Sequence, residues 1–342
     1  VRDRAIQLVR FAPSFREATD IIDLPERPPG SGEITVRNRW CGVNGIFDTQ
    51  IARNAVDYVK ITLPALTGVE AIGRVVAVGS DVEEFDIGDA AVTNRFGGGY
   101  REANTGPAGG FVKVPRVERE WLALCSTGVS ALLALKHTGE ARPGETVAIS
   151  AAAGGLGHLM VQLAKQIGCR VIAVCGGVRK AEFVRGLGAD LVIDYRAESV
   201  AAVLAAEFPN GIDVAIDTVG GPTFDAFLAN LAVHGRLVAG GAAVDLAGRP
   251  ESVTGPRIVH QLYYKAASVR GFMNGLLQEH WPAARRELFR LYQAGELAVT
   301  FDDVPFRGLT ATYDAVEHLL SGASMGKVLV DLRPSRVSEE PR

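Results

Sequence analysis

Residues 146–175 read TVAISAAAGGLGHLMVQLAKQIGCRVIAVC, and the order of residue types in this stretch decides the fold. Thr146–Ser150 is a short apolar, β-branched run. A glycine-rich turn, Ala151-Ala152-Ala153-Gly154-Gly155-Leu156-Gly157, follows it. His158–Ile167 then places Leu159, Leu163 and Ile167 at i, i+4 and i+8, one apolar stripe of a helix. Arg170–Cys175 is a second, continuously apolar run, as a strand buried on both faces must be. Strand, helix and buried strand in this order form a right-handed βαβ unit with parallel strands. The glycines allow a tight turn and a close backbone approach. The helix N-terminus adds free N–H groups and partial positive charge, so the turn is a candidate anion site. The order is not strict G-x-G-x-x-G, and a turn that merely joins strand to helix is the plainer alternative.

The same alternation continues downstream. Leu191–Tyr195, Asp213–Asp217, Arg236–Gly240 and Ser268–Met273 read as strands, with Arg179–Leu187 and Phe224–Leu231 as helices between them. This predicts a doubly wound parallel sheet. Before it, Ala5–Phe11, Glu33–Val43, Ala71–Gly79, Gly88–Thr93 and Phe111–Pro115 are strand candidates without long helices between them, which suits a mostly antiparallel, partly closed barrel. After it come a helix (Trp281–Ala294), a strand (Val299–Phe306), a helix (Thr310–Ser321) and a strand (Lys327–Leu332). These are too few to form a domain and are expected to complete the first one. The expected division is therefore 1–121, 122–275 and 276–332, with 333–342 a disordered tail.

A chain of 342 residues with 47% hydrophobic content is long enough for two cores. The formal net charge of -3, without a basic stripe, argues against nucleic acid as a partner. No apolar run reaches the ~20 residues that cross a bilayer, and the N-terminus lacks the order of a secretory signal. Cys41, Cys125, Cys169 and Cys175 form no C-x-x-C pair and are expected to be buried free thiols in a reducing cytoplasm. The six histidines show no H-x-x-x-H or H-E-x-x-H spacing, so no metal site is expected on local motifs.

The second strand bears on the choice of nucleotide. Folds that prefer NAD place Asp or Glu about 20 residues past the turn, against the ribose hydroxyls. Here that count reaches Cys175, followed by Gly176-Gly177, and the next charged residues are Arg179 and Lys180. A missing carboxylate removes repulsion from a 2′-phosphate, and the cations attract it. NADPH is the expected cofactor; a solvated basic helix start is the plainer alternative.

The run 150–174 resembles the medium-chain dehydrogenase/reductase superfamily, in its zinc-free quinone oxidoreductase branch. FPNGIDVAIDTVGGPTFDAFLANLAVHGRLV (208–238), YYKAASVRGF (263–272), CGVN (41–44) and GVEAIGRVVAVG (68–79) carry the same likeness. The resemblance implies a Rossmann domain inserted into a GroES-like domain built from both termini. It implies Thr127 beside the nicotinamide, and Ala153, Gly154, Gly155, Leu156 and Gly157 at the pyrophosphate. It places Lys180 and Tyr195 at the 2′-phosphate, where the count past the turn already put Gly176 and Arg179, and Thr218, Val219, Gly240, Gly241, Phe272 and Met273 on the nicotinamide side. Asn44 is implied as a polar neighbour of the cofactor. Ser324, in SMGK, stands where the family commonly has Asn. Against zinc-dependent relatives, the ligand positions fall at Asn44, Val69 and near Ala123, and an aliphatic side chain cannot bind zinc.

Without a Lewis acid, an unactivated ketone is hard to reduce, because little stabilises the forming alkoxide. A conjugated carbonyl needs less help, since hydride at the β-carbon leaves a delocalised enolate that one hydrogen-bond donor can hold. The expected reaction is reduction of the C=C bond of an enone or enal. Asn44, Tyr58 and Tyr100 are the candidate catalytic residues, and Glu70 is expected to be a structural partner. Tyr100 lies in the glycine-rich stretch 96–110, which is either a cover for the substrate mouth or a surface loop. Three alternatives stay open: quinone reduction, a biosynthetic ene reductase acting on a pathway intermediate, and a non-catalytic NADPH-binding protein. The resemblance also implies a homodimer, formed where the edge strand Ser268–Met273 pairs with a second copy.

Overall fold

The computed structural model describes residues 3–25, 27–56, 60–244, 253 and 257–333. Up to residue 115, strand burial often follows the period of two that a half-buried sheet requires. The strands are β1 (Asp3–Leu8), β2 (Thr19–Leu24), β3 (Glu33–Gly42), β4 (Ala65–Leu66), β5 (Glu70–Val78), β6 (Ala90–Asn94), β7 (Ala103–Pro107) and β8 (Phe111–Val114). Short helices α1 (Phe15–Ala18) and α2 (Gly45–Ala52) interrupt them, and α3 (Arg119–Ala123) follows. β3 is the spine of this part, with Ile34, Val36 and Asn38 buried. It pairs antiparallel with β5, from Ile34↔Val78 to Gly42↔Glu70, and with β7, from Glu33↔Pro107 to Arg37↔Ala103.

The next part is α/β. Helix α4 (Val129–Leu133) lies between two π-helical turns, Leu124–Gly128 and Ala134–Thr138. Then follow β9 (Thr146–Ile149), α5 (Gly157–Ile167), β10 (Arg170–Cys175), α6 (Val178–Gly186), β11 (Leu191–Asp194), α7 (Val200–Glu207) and β12 (Ile212–Asp217). α8 (Gly221–Ala229), β13 (Leu231–Ala239), α9 (Val259–Tyr263), β14 (Ser268–Gly271) and α10 (Trp281–Gln293) complete it. The strands form one parallel sheet in the order β11-β10-β9-β12-β13-β14. The path reverses between β9 and β12, which makes the ends of these two strands the switch point where ligands of such sheets bind. Phe227, Leu204, Ile172, Ile193 and Leu237 are fully buried in its core, each stabilising by roughly 1.5–3 kcal/mol.

The last elements are β15 (Phe306–Arg307), α11 (Thr312–Leu320) and β16 (Leu329–Asp331). β16 pairs antiparallel with β3, so the C-terminal segment closes the first sheet. The chain thus divides into two compact units, Val1–Ser126 with Phe301–Arg342, and Thr127–Thr300. Among the described residues, no helix is long and apolar enough to cross a membrane.

Several expectations need correction. The return to the first unit comes at 301, not 276. α10 buries Ala284, Leu288 and Leu291 and packs on α4, in the second unit. Residues 298–300 are tied to α5 through Gln162, which bonds both N–H and C=O of Ala298, and through His158, which takes the Thr300 N–H. The expected strand Val299–Phe306 is mostly loop. Asp302 organises it, accepting from Val304 N and Met325 N and pairing with His318. The expected helix Phe224–Leu231 ends at Ala229, because Leu231 already begins β13. The tail beyond 333 lies outside the described residues.

Arg236 pins the N-terminal edge of the parallel sheet. Its guanidinium donates to both oxygens of Glu145, at 2.9 and 2.7 Å, and to the carbonyls of Gly139 and Glu140. Burial opposes ionisation of Glu145, but these bonds outweigh it and hold the carboxyl below its ordinary range. The pair therefore stabilises fully above the ordinary glutamate pKa and loses its effect as pH falls through the depressed value. Arg236→Met should cost about 2 kcal/mol at pH 7 and clearly less at pH 3, as thermal melts would show.

Candidate active site

In the second unit, the turns that matter all leave the C-terminal ends of the parallel strands. After β9, the Ser150 hydroxyl accepts the Thr218 N–H at 2.9 Å and so couples this turn to the one after β12. Gly157 sits where a Cβ would collide with the Ala151 carbonyl and lie 2.6 Å from Ala152 Cα, so only glycine lets α5 start this close to the turn. His158 is wholly buried. Its Nε2 accepts the Thr300 N–H, so Nδ1 carries the proton and donates to Gly154 O at 3.0 Å, closing the turn. The N–H groups of Gly155, Leu156 and Gly157 have no acceptor among the described residues. They lie at the positive end of α5 and fit a pyrophosphate.

After β12, the buried Asp217 carboxylate accepts the N–H groups of Val219 (3.1 Å) and Gly220 (2.8 Å), which fixes the turn Thr218–Gly220. Its carbonyl accepts from Gly240 N at 2.7 Å. A Cβ on Gly241 would lie 2.8 Å from Thr218 O. Phe272 N bonds Ala239 O, and the Phe272 ring flanks Gly240. Thr218, Val219, Gly240, Gly241 and Phe272 are thereby brought together, and Met273 follows directly. Asp217 was missed in the sequence, although an Asp at a strand end before Thr-Val-Gly-Gly is a turn-forming signal.

After β10 and β11, Gly176 meets Tyr195: a Cβ there would lie 2.8 Å from the ring and 2.9 Å from Arg196 Nε. Arg179 is exposed and Lys180 half-buried in the first turn of α6. Cations at the positive end of a helix oppose its macrodipole, typically by 0.3–1 kcal/mol each, and their placement suits a bound anion. Arg196 is a third cation in this group that sequence reasoning missed. The acid rule looks only at the end of β10, whereas Arg196 stands one strand further on, in the run Asp194-Tyr195-Arg196. The nearby acid, Asp194, accepts from Gly177 N and Arg196 N, and these bonds hold its carboxyl below the usual range.

Thr127 is nearly buried in the π-helical turn that opens the second unit. The remaining candidates belong to the first. Ser324 is half-buried in the turn after α11. Tyr58 lies outside the described residues. Asn44 is half-buried at the start of α2; its Nδ2 donates to Glu70 Oε1 at 3.0 Å and its Oδ1 accepts from Lys327 Nζ at 3.1 Å. Glu70 and Lys327 form an ion pair at 2.6 Å, both buried. Val69, which the family resemblance sets at a zinc-ligand position, precedes this glutamate. Among the described residues, no group of three or more His, Cys, Asp or Glu could hold a metal ion.

Tyr100 departs from expectation. It is fully buried, donates to Asp48 Oδ2 at 2.6 Å, and packs edge-on against Phe15. It is a core residue, not one at a substrate mouth. The glycine-rich stretch 96–110 is likewise no free cover, since its second half is β7, paired with β3. Burial raises Asp48 from 3.8 to about 7, against the opposing effects of the Tyr100 hydrogen bond and the Lys327 charge. The neutral carboxyl thus stabilises the fold at low pH, and that contribution is lost as pH rises from about 4 through 7. Asp48→Asn keeps an acceptor for Tyr100 and cannot ionise, so its Tm advantage over the native protein should grow by several degrees between pH 5 and pH 8. Equal differences at both pH values would contradict this.

Comparison with known proteins agrees with both units. Residues 30–125 match the model of the alcohol dehydrogenase GroES-like domain, and residues 155–290 that of the zinc-binding dehydrogenase. The chain is 34% identical to prostaglandin reductase-3 of Bos taurus, over 96% of this chain and 89% of the relative. It is 33% identical to a probable quinone oxidoreductase of Leishmania amazonensis, over 96% and 98% of the two chains. The crystal structure of Escherichia coli quinone oxidoreductase complexed with NADPH matches with a TM-score of 0.81 at 27% identity, over 96% of this chain and 99% of that one. With its GroES-like and Rossmann-type units, the chain belongs to the quinone oxidoreductase-like branch of the medium-chain dehydrogenase/reductase superfamily.

Proposed function

We propose that this chain is an NADPH-dependent, zinc-independent reductase of the C=C bond of α,β-unsaturated carbonyl compounds, acting in the cytoplasm. The observation that carries the reading is Asn44. Where zinc-dependent relatives have a ligand, this chain holds a neutral amide between a buried Lys and a buried Glu. A single amide N–H stabilises a localised alkoxide less than a metal ion would, but suffices for an enolate, whose charge is spread over carbon and oxygen. NADPH, when bound, supplies the hydride. The N–H groups of Gly155, Leu156 and Gly157, without an acceptor among the described residues, hold its pyrophosphate, and Arg179, Lys180 and Arg196 its 2′-phosphate, with Tyr195 beside them. Thr218, Val219, Gly240, Gly241, Phe272 and Met273, with Thr127, border the nicotinamide. Tyr58 remains the candidate proton donor, with solvent as the alternative.

Quinone reduction is the runner-up, favoured by the names of the relatives. Incubation with NADPH and an aryl butenone should give the saturated ketone in step with NADPH loss. Allylic alcohol as the product, or turnover of quinones only, would overturn the reading. The cofactor part is tested separately. Arg196→Gln should weaken NADPH about 10-fold, ~1.4 kcal/mol, and change NADH affinity less than twofold, as fluorescence titration would show. Equal losses for both nucleotides would contradict a 2′-phosphate contact.

We also propose a homodimer. Among the described residues, β14 is the edge of the parallel sheet and pairs with β13 alone, which suits pairing of its other edge with a second copy. Sedimentation velocity at micromolar concentration should give a dimer; a monomer would refute this.

A further inference from the structure

Asparagine at a helix N-cap ordinarily turns its side-chain oxygen onto the N–H groups of the first turn. Asn44 stands at the N-cap of α2, and its side chain makes no such bond. Its Oδ1 accepts from Lys327 Nζ at 3.1 Å, and its Nδ2 donates to Glu70 Oε1 at 3.0 Å. These two residues are themselves paired at 2.6 Å, with side chains 4% and 0% exposed. The backbone of Asn44 is tied as well: its N–H points at the Tyr100 hydroxyl (3.5 Å), and its carbonyl accepts from Asp48 N at 3.0 Å.

The arrangement has a definite polarity. With oxygen on an ammonium and one N–H on a carboxylate, the amide cannot flip without setting oxygen against carboxylate and N–H against ammonium. One Nδ2 N–H remains, with no acceptor among the described residues. Lys327 has no proton left to offer, since its three donor positions serve Glu70, Asn44 and the Val43 carbonyl. Glu70 Oε2 is buried without a partner among the described residues, an arrangement that costs stability. A buried ion pair is in any case a weak source of stability, and apolar replacements often serve the fold as well. The pair is therefore better explained by what it does to Asn44 than by what it adds to the core.

We propose that Lys327 and Glu70 are positioning residues that fix Asn44 as an obligate hydrogen-bond donor. The site then takes acceptors that present a bare carbonyl or enolate oxygen and disfavours groups that must donate, such as the hydroxyl of an alcohol. This rests on the reading of Asn44 as the contact for the substrate oxygen.

The test uses the full chain with Asn44→Ala, the neutral double variant Glu70→Gln/Lys327→Gln, and their combination. Three quantities are read: kcat and KM, the NADPH Kd by fluorescence, and exchange of the Asn44 side-chain amide protons by NMR. Asn44→Ala should lower kcat about 10²-fold. The double variant should lower kcat at least about 10-fold with NADPH Kd within twofold, and should add nothing in the Asn44→Ala background. Its Asn44 amide should exchange faster than in the native protein, where slow exchange is expected. An unchanged kcat, losses that multiply with Asn44→Ala, or a native amide that exchanges freely would each overturn the proposal. The last measurement needs no variant and stands even if the double variant does not fold. If the native protein reduces no enone, the enone reading fails, and the same cycle is run with naphthoquinone as acceptor.

Discussion

The reversal of strand order between β9 and β12 is the constraint on which the second unit depends. Parallel strands need crossover helices, and crossovers that leave a central pair in opposite directions open a crevice at the carboxyl ends of that pair. The Ser150–Thr218 hydrogen bond spans the two sides of that crevice. Nearly every residue of this unit that the family likeness marks for the nucleotide then falls on one edge of the sheet. The glycines, the N–H groups at the start of α5 and the cations around Gly176 are consequences of that edge, not separate features.

The first unit is organised by a different interaction. Lys327 arrives from near the C-terminus and joins Glu70 of β5 and Asn44 beside β3, a contact between segments more than 250 residues apart in sequence. β16 pairs with β3 next to it. The β16–β3 pairing therefore fastens the returning segment to the first sheet, and the ion pair lies beside it, at the place where Asn44 is presented. Its polar surroundings extend to Asp48 and Tyr100, both buried. Burial pushes the Asp48 carboxyl and the Tyr100 phenol upward, as it does the Cys41 thiol. None of the three is a group in open contact with solvent.

What the sequence made legible was what depends on neighbours in the chain. The run 146–175 showed its strand, turn and helix through periodicity, and the absent acid after Cys175 needed only counting. What stayed hidden depends on partners far away. Val299–Phe306 has strand composition, but Asp302 is claimed by Met325 and His318. The expected helix Trp281–Ala294 falls in the second unit and not the first, because its partner, α4, lies about 150 residues earlier. Tyr100 looked like a mouth residue because its glycine-rich setting is visible and Asp48, its partner, is not. Arg196 was overlooked because it reaches Gly176 from the next strand.

The central claim is hydride delivery to an activated C=C bond from a nucleotide held at this edge, and isotope placement tests it most directly. With NADPH carrying deuterium at the transferable C4 position and a β-substituted enone, mass spectrometry and NMR locate the label in the product. The account predicts one deuterium at the β-carbon of a saturated ketone. Deuterium on the carbinol carbon of an allylic alcohol, or a product without label, would contradict it.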